Sequence, residues 1–400
     1  MSFRVISLWI HRYTGLAIAA FLVIAGLTGS VIAFAPELDT WLNPELYGPA
    51  SQDRPLPISE LIERVEQADL RVKVEGIFSF ASASTSSTVL YVLPRRDPLA
   101  GRPAALAINQ LFADSTTGEI RGTRLRGACC FESKHVIPFL RLVHWSLFAG
   151  FTGQMFMGSV AAVWTLNCLV GLYLTLPRGR PFFARWLPAW KAKVTGGTHR
   201  VSFHLHRASA LWSWGMLLVL AITSVALGLH HQIFRPLVSS IASLTPDPME
   251  AARSRLRSDA VVPRLSISDA IAMAEAKGAE DGTPLSAANV IHFSGLGLYR
   301  VGLARAGEGR SGGLGLTYIY IDDRDGGVMS TQIPGKGTTG DVFLQLQYPL
   351  HTGQVAGMPG RIIVCVGGIV VAVISMTGVL IWFKNWQKRN HRPQRGWGAP

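Results

Sequence analysis

Charged and apolar positions are segregated along this chain. Four stretches contain no Asp, Glu, Lys or Arg: Tyr13–Pro36, Leu142–Pro177, Ala208–Phe234 and Ile362–Phe383. Each supplies the ~20 residues with which a helix crosses a ~30 Å hydrocarbon layer. Between them the pattern changes. Leu56–Ile62 and Leu265–Ile271 each open a helix-like stretch with serine as a candidate N-cap. Strand-like runs follow at Thr88–Leu93, Tyr299–Leu303 and Tyr318–Ile321, and turn signals close them at Thr117-Gly118 and Asp325-Gly326-Gly327. The pattern predicts a membrane α fold of four transmembrane helices with two small α+β insertions. The expected order is a first span over 1–36, an exterior domain over 37–141, and an interfacial segment plus second span over 142–177. A cytoplasmic loop (178–204) leads to a third span (205–231), a second exterior domain (232–348), an interfacial segment plus fourth span (349–384) and a cytoplasmic tail (385–400).

Composition agrees: 48% of the residues are hydrophobic and only 16% charged, against about 25% charged in a typical soluble domain. The net charge of +13 suggests nucleic acid until the charges are located. All 25 acidic residues lie in 37–141 and 235–361, where each segment also holds 12 basic ones. The other basic residues face no acid: Arg4, Arg12, Arg207, and those within Arg178–Arg200 and Lys384–Arg395. This is the positive-inside distribution. It sets both termini and the short loop on the cytoplasmic side and assigns the excess charge to anionic lipid headgroups, not to nucleic acid. Ala33-Phe34-Ala35 resembles a signal cleavage site, but the apolar run before it, about 23 residues, is longer than a signal peptide uses, so a retained helix is expected. Cys168 and Cys365 read as packing residues in spans. Cys129 and Cys130 fall on the oxidising side, where adjacent cysteines do not easily form an ordinary disulfide.

The chain also repeats itself. With His144 placed over His351, Gly153 falls on Gly360 and Gly171 on Gly378; with His11 over His206, Arg12 falls on Arg207 and Thr28 on Thr223. Each half reads as helix, exterior domain, helix, so the bundle is expected to consist of two parallel two-helix repeats.

The repeat gives the histidines their meaning. A lone interfacial histidine is usually a satisfied polar side chain. Here His11 and His206 offer one imidazole from each half on the inner side, and His144 and His351 do so on the outer side. Two imidazoles on facing helices suit the two faces of an iron porphyrin. Structural zinc wants four ligands and catalytic zinc three, and the spans hold no carboxylate to complete a proton relay. His204, His230 and His231 are alternates; His135, His199, His292 and His391 read as ordinary. Arg12, Arg207 and Arg141 neighbour the ligand candidates and could meet haem propionates. From His144 to Pro177 is too long for one straight crossing, so His144 and His351 are expected on bent segments above the spanning helices. The Gly-rich stretches Ser294–Tyr299 and Arg310–Thr317 read as connections.

Leu8-Trp9-Ile10-His11-Arg12-Tyr13-Thr14-Gly15, Phe203-His204-Leu205-His206-Arg207, and Leu350-His351-Thr352-Gly353 with Gly357 and Gly360 carry a resemblance. The chain resembles the PepSY-associated transmembrane family of iron-regulated inner-membrane proteins, with Leu265–Thr331 like a PepSY domain and Leu56–Arg121 a weaker copy. Within that family it is similar to ferric-siderophore reductases of the FoxB type. The resemblance implies a bacterial inner-membrane oxidoreductase with two haem b groups on His11, His206, His144 and His351. It also implies a ferric siderophore, of hydroxamate type, reduced from Fe(III) to Fe(II) in the periplasm. No nucleotide-binding fingerprint is present, so a separate donor, quinol or a cytoplasmic reductase, is expected. Other readings are a non-enzymatic membrane regulator that binds a partner through its exterior domains, and a siderophore transporter.

Overall fold

The computed structural model describes residues 2–80, 84–95, 105–254, 264–281, 284–305 and 313–390. His391, the tail beyond it and the first part of Arg310–Thr317 lie outside the described residues. In chain order, α1 (Phe3–Ile32) is followed by α2 (Ala35–Leu42), α3 (Pro44–Tyr47) and α4 (Ile58–Ala68). Strands β1 (Val72–Ser79), β2 (Ser87–Pro94), β3 (Gln110–Asp114) and β4 (Ile120–Arg124) precede α5 (Ser133–Ser146) and α6 (Gly150–Thr175). A connection holding α7 (Phe182–Trp186) and a 3-10 turn (Leu187–Trp190) leads to α8 (Thr198–Gly228). A π turn (His230–Phe234), α9 (Arg235–Ser239), α10 (Pro248–Arg253) and α11 (Ile267–Gly278) follow. Then come β5 (Leu285–Phe293), β6 (Leu298–Arg305), β7 (Thr317–Asp322), β8 (Val328–Gln332), α12 (Thr339–Thr352) and α13 (Gly357–Asn390).

Among the described residues four helices are long and apolar enough to span a membrane: α1, α6, α8 and Gln354–Lys388, which takes in most of α13. They form a ring in which α1 packs on α6 and α13, and α8 packs on the same two. Lipid is as apolar as leucine, so such helices associate through close packing of small residues. At the α1–α13 crossing a Cβ on Gly26 would strike the Gly368 carbonyl, and one on Gly368 would strike the Gly26 carbonyl. Ser30 Oγ adds a 2.7 Å bond to Cys365 O. At the end of α1, Arg361 of α13 donates to both Glu37 carboxylate oxygens (2.7 and 2.6 Å) and to Ala33 O (2.9 Å).

The helices preceding α6 and α13 are sharply bent away from them. Leu147 and Phe148 have positive φ (49° and 64°), and so do Gly353 and Gly357 (77° and 61°). The bends close so tightly that Gly153 lies against the Ser146 carbonyl and Gly360 against the Gly353 carbonyl, with no room for a side chain. The helix that carries the third apolar stretch, α8, starts at Thr198, seven residues before the expected span start at 205.

The two insertions are not separate bodies. All eight strands form one antiparallel sheet in the order β4-β3-β2-β1-β5-β6-β7-β8. The insertions join where Gly76 and Ile77 of β1 pair with Ile291 and Val290 of β5; a side chain at Gly76 would meet the Val290 carbonyl at 2.5 Å. One core runs beneath both halves, with Leu61 and Val65 of α4 and Ala270, Ile271 and Ala274 of α11 packed on it. Each fully buried Leu or Ile contributes about 1.5–3 kcal/mol. The expected serine cap is present in α11, where Ser266 and Asp269 form a capping box. In α4 the N-cap is Pro57, which offers no side-chain acceptor, and Ser59 lies inside the helix. Cys129 and Cys130, not expected to pair readily, are joined as a vicinal disulfide. They occupy a bend after β4, free of helix and ladder constraints.

Candidate functional site

Two pairs of facing imidazoles lie inside the helix ring. In the inner pair, His11 of α1 and His206 of α8 have ring centroids 6.3 Å apart at 71°. His206 Nδ1 is 2.9 Å from Ile374 O and 3.3 Å from Thr377 Oγ1, both on α13. Donation from Nδ1 to that carbonyl leaves Nε2 unprotonated, the state a metal ligand needs. The ring rests over Gly378, where a Cβ would come within 3.3 Å of it, and His11 rests over Gly171 of α6, where a Cβ would come within 3.0 Å. Asn167 of α6, buried in an otherwise apolar helix, donates to Thr14 Oγ1 at 2.8 Å beside His11. The Nδ1 of His11 is buried without a hydrogen bond among the described residues.

The outer pair joins His144 of α5 to His351 of α12, ring centroids 6.1 Å apart at 52°. His144 Nδ1 is 3.0 Å from Ala25 O and 3.2 Å from Thr28 Oγ1. His351 Nδ1 is 3.0 Å from Thr223 Oγ1. A Cβ on Gly29 would sit 2.9 Å from the His144 ring. These contacts correct one expectation. The outer pair is carried on bent segments, but it does not stand above the spanning helices. Thr28 is four residues before the end of α1 and Thr223 five before the end of α8, so α5 and α12 lean back and insert both imidazoles beside the last turns of the bundle. From His11 to Ala25 is fourteen residues of α1, so the two pairs are stacked about 21 Å apart along the bundle.

The alternates are placed elsewhere. His204 Nδ1 is 3.3 Å from Arg207 Nη2, and its ring meets Phe203, not His11. His230 and His231 contact each other in the π turn, ring centroids 4.8 Å apart, and His231 Nδ1 is 4.0 Å from Asp247 Oδ2. Among the described residues no three His, Cys, Asp or Glu side chains gather as metal ligands, so neither pair is completed by a third protein donor.

A cavity of about 1050 Å³ surrounds the inner pair. Its depth is apolar, with Ile18, Leu22, Leu217 and Val371 on the walls. Its rim carries Arg4, Arg12, Arg178, Arg185 and Arg207, and the lining contains no carboxylate. Arg207 donates from Nη2 to Pro188 O (3.1 Å) and stacks over Phe203 (5.2 Å), while its Nε is buried without a partner among the described residues. Arg141 is half-buried on α5, three residues before His144. Sequence reasoning passed over Arg4, whose guanidinium binds the Leu176 and Leu174 carbonyls (3.0 and 2.6 Å) at the end of α6. His199, read as ordinary in the sequence, lines the cavity, and its buried Nε2 has no partner among the described residues.

A family model described as PepSY-associated TM region matches residues 8–385. Among curated proteins, none matches the chain significantly.

Proposed function

This chain belongs to the PepSY-associated TM family, and on that premise we propose that it is a dihaem oxidoreductase of a bacterial inner membrane. It takes electrons from a cytoplasmic-side donor, quinol or a separate reductase, and reduces a ferric siderophore of hydroxamate type on the periplasmic side. One-electron reduction weakens a chelate that holds Fe(III) far more tightly than Fe(II). In this reading His11 and His206 hold one haem b, and His144 and His351 the other. The two halves are a parallel duplication, the sheet domain is periplasmic, and both termini are cytoplasmic, as the one-sided distribution of unpaired basic residues supports.

The observation that carries this is the spacing of the rings. A metal–imidazole bond is about 2 Å, so an ion held by both imidazoles of a pair, with half a ring behind each nitrogen, would set ring centres up to about 6 Å apart. Both pairs have that separation, at 6.3 and 6.1 Å. An apolar cavity with an arginine rim and no carboxylate suits a flat macrocycle bearing two propionates. Bound there, haem b supplies one-electron redox chemistry. The chain's own residues do the rest. Ile374 O and Thr377 hold Nδ1 of His206, Ala25 O and Thr28 that of His144, and Thr223 that of His351, which orients these three rings and would leave Nε2 for iron. Arg12 and Arg207, which line the inner cavity, would hold propionates there, and Arg141 would do so at the outer pair.

The test is haem content and the Soret absorbance of the purified chain. Two haems per wild-type chain are expected. His351→Ala should lose the outer group and keep the inner, and His11→Ala the reverse. A chain purified without a Soret band, or variants that keep two haems, would overturn the reading; the first result would favour a non-enzymatic regulator.

A further inference from the structure

The connection between α6 and α8 reads in the sequence as a cytoplasmic loop, yet it does not project beyond the helices. Trp186 Nε1 donates to Thr175 Oγ1 (3.2 Å) at the end of α6. Trp212 Nε1 donates to Trp190 O (3.0 Å), and Arg207 Nη2 to Pro188 O. Trp212 lies fourteen residues into α8, about 21 Å along it, and six residues deeper than His206. The connection is therefore folded back alongside the spanning part of α8.

Its side chains are sorted in two directions. Pro188 and Ala189 face inward and wall the inner cavity. Outward runs a series of rings: Phe183, Phe182, Trp186, Trp190 and Trp212, with successive centroids 5.4, 5.6, 5.2 and 5.2 Å apart. Phe183 is 78% exposed, Leu187 59% and Trp212 75%. Trp212 is part of a membrane-spanning helix, so what covers this face at its level is lipid. Flanking the rings are Arg180, Lys191 and Lys193, while Arg178 and Arg185 stand at the cavity rim, and no acidic residue occurs between Arg178 and Arg207. Aromatic rings with a polar tip settle at the level of headgroups, and adjacent lysine and arginine bind anionic ones.

We propose that Phe182–Trp190 is an interfacial element seated among the anionic headgroups of the surrounding bilayer, which hold this segment as the wall of the inner cavity. The partner is the lipid surface itself. The inference rests on the membrane reading of the chain and not on the cofactor.

Nitroxide labels on Leu187→Cys and Phe183→Cys in the full chain, in phosphatidylglycerol nanodiscs, test it by relaxation with oxygen and with a nickel chelate; unsubstituted protein gives the labelling blank. Val194→Cys, on the exposed stretch leading into α8, is the aqueous reference. Labels at 183 and 187 are expected to favour oxygen, and the label at 194 the nickel chelate. Exchanging phosphatidylglycerol for phosphatidylcholine should raise nickel access at 187 by about twofold or more. Nickel access at 183 and 187 equal to that at 194 would overturn the insertion, leaving a loop open to water or to a soluble partner. Depth indifferent to lipid charge would overturn the role of anionic headgroups.

Discussion

At the scale of single residues, the side chains beneath the imidazoles matter as much as the imidazoles. Thr223 holds His351 Nδ1 at 3.0 Å, and Gly29 leaves the space that the His144 ring fills. Loss of such a supporting hydrogen bond commonly weakens a metal site 10- to 100-fold. Thr223→Val should therefore lower haem affinity by about 10- to 100-fold at the outer pair alone, and Gly29→Leu, which drives a side chain into His144, should abolish it there. Titration of apo-protein with haem checks both; an equal loss at the inner pair would contradict the assignment. Much of this was legible. Thr28 over Thr223 and Gly171 over Gly378 already coincide when the halves are superposed in sequence, though without a visible role. Asn167 was not legible, because its counterpart is Ile374 and a repeat shows only what is duplicated. His199 was hidden by a charge pattern that put the helix start at 205.

At the scale of elements, period and charge located the spans and β2, β6 and β7, but not β1, β3, β4, β5 or β8, nor which strands meet. Gly76 and Ile77 pair with the other insertion through a register that no local pattern encodes. That seam carries a buried cluster. His292 Nε2 is 3.0 Å from Asp323 Oδ2, its Nδ1 is 3.6 Å from Glu75 Oε1 on β1, and its ring stacks on Tyr299 at 4.3 Å. Burial alone would disfavour a proton on His292, but the hydrogen bonds to Glu75 and Asp323 outweigh it and raise the pKa above the usual 6.5. A raised folded-state value means that the stabilisation is complete below about 6.5 and fades as pH climbs through the folded value. With the intrinsic base-catalysed rate divided out, amides of β1 and β5 should thus show higher protection factors at about pH 6 than at about pH 8, and His292→Gln should flatten that difference. Hydrogen exchange across this range decides it; an unchanged pH profile in the variant would exclude the cluster as its source.

At the scale of the whole molecule, the sheet domain is fastened to the bundle by a few buried ions. Arg124 of β4 grips Asp39 of α2 with contacts of 2.9–3.0 Å, and both side chains are almost fully enclosed. Removing one partner of such a pair leaves a buried charge and costs about 3–5 kcal/mol, whereas an apolar pair can be near neutral. Arg124→Met should lower the thermal midpoint clearly, and Arg124→Met with Asp39→Leu should recover much of the loss. Equal midpoints for the single and double variants would show that the contact is not what joins the parts. The four apolar helices were open to sequence reasoning because lipid imposes them through length and composition. The merging of the two insertions was not, since it depends on contacts more than two hundred residues apart. That merged sheet has a mechanical meaning. Its edge strands, β4 and β8, are the ones that feed α5 and α12. Seven strand spacings, about 34 Å in all, are therefore narrowed by two converging arms to the 6.1 Å gap of the outer pair. The spacing of the two imidazoles is thus set from opposite edges of one sheet, so whatever alters the sheet's span bears on both arms of the outer pair.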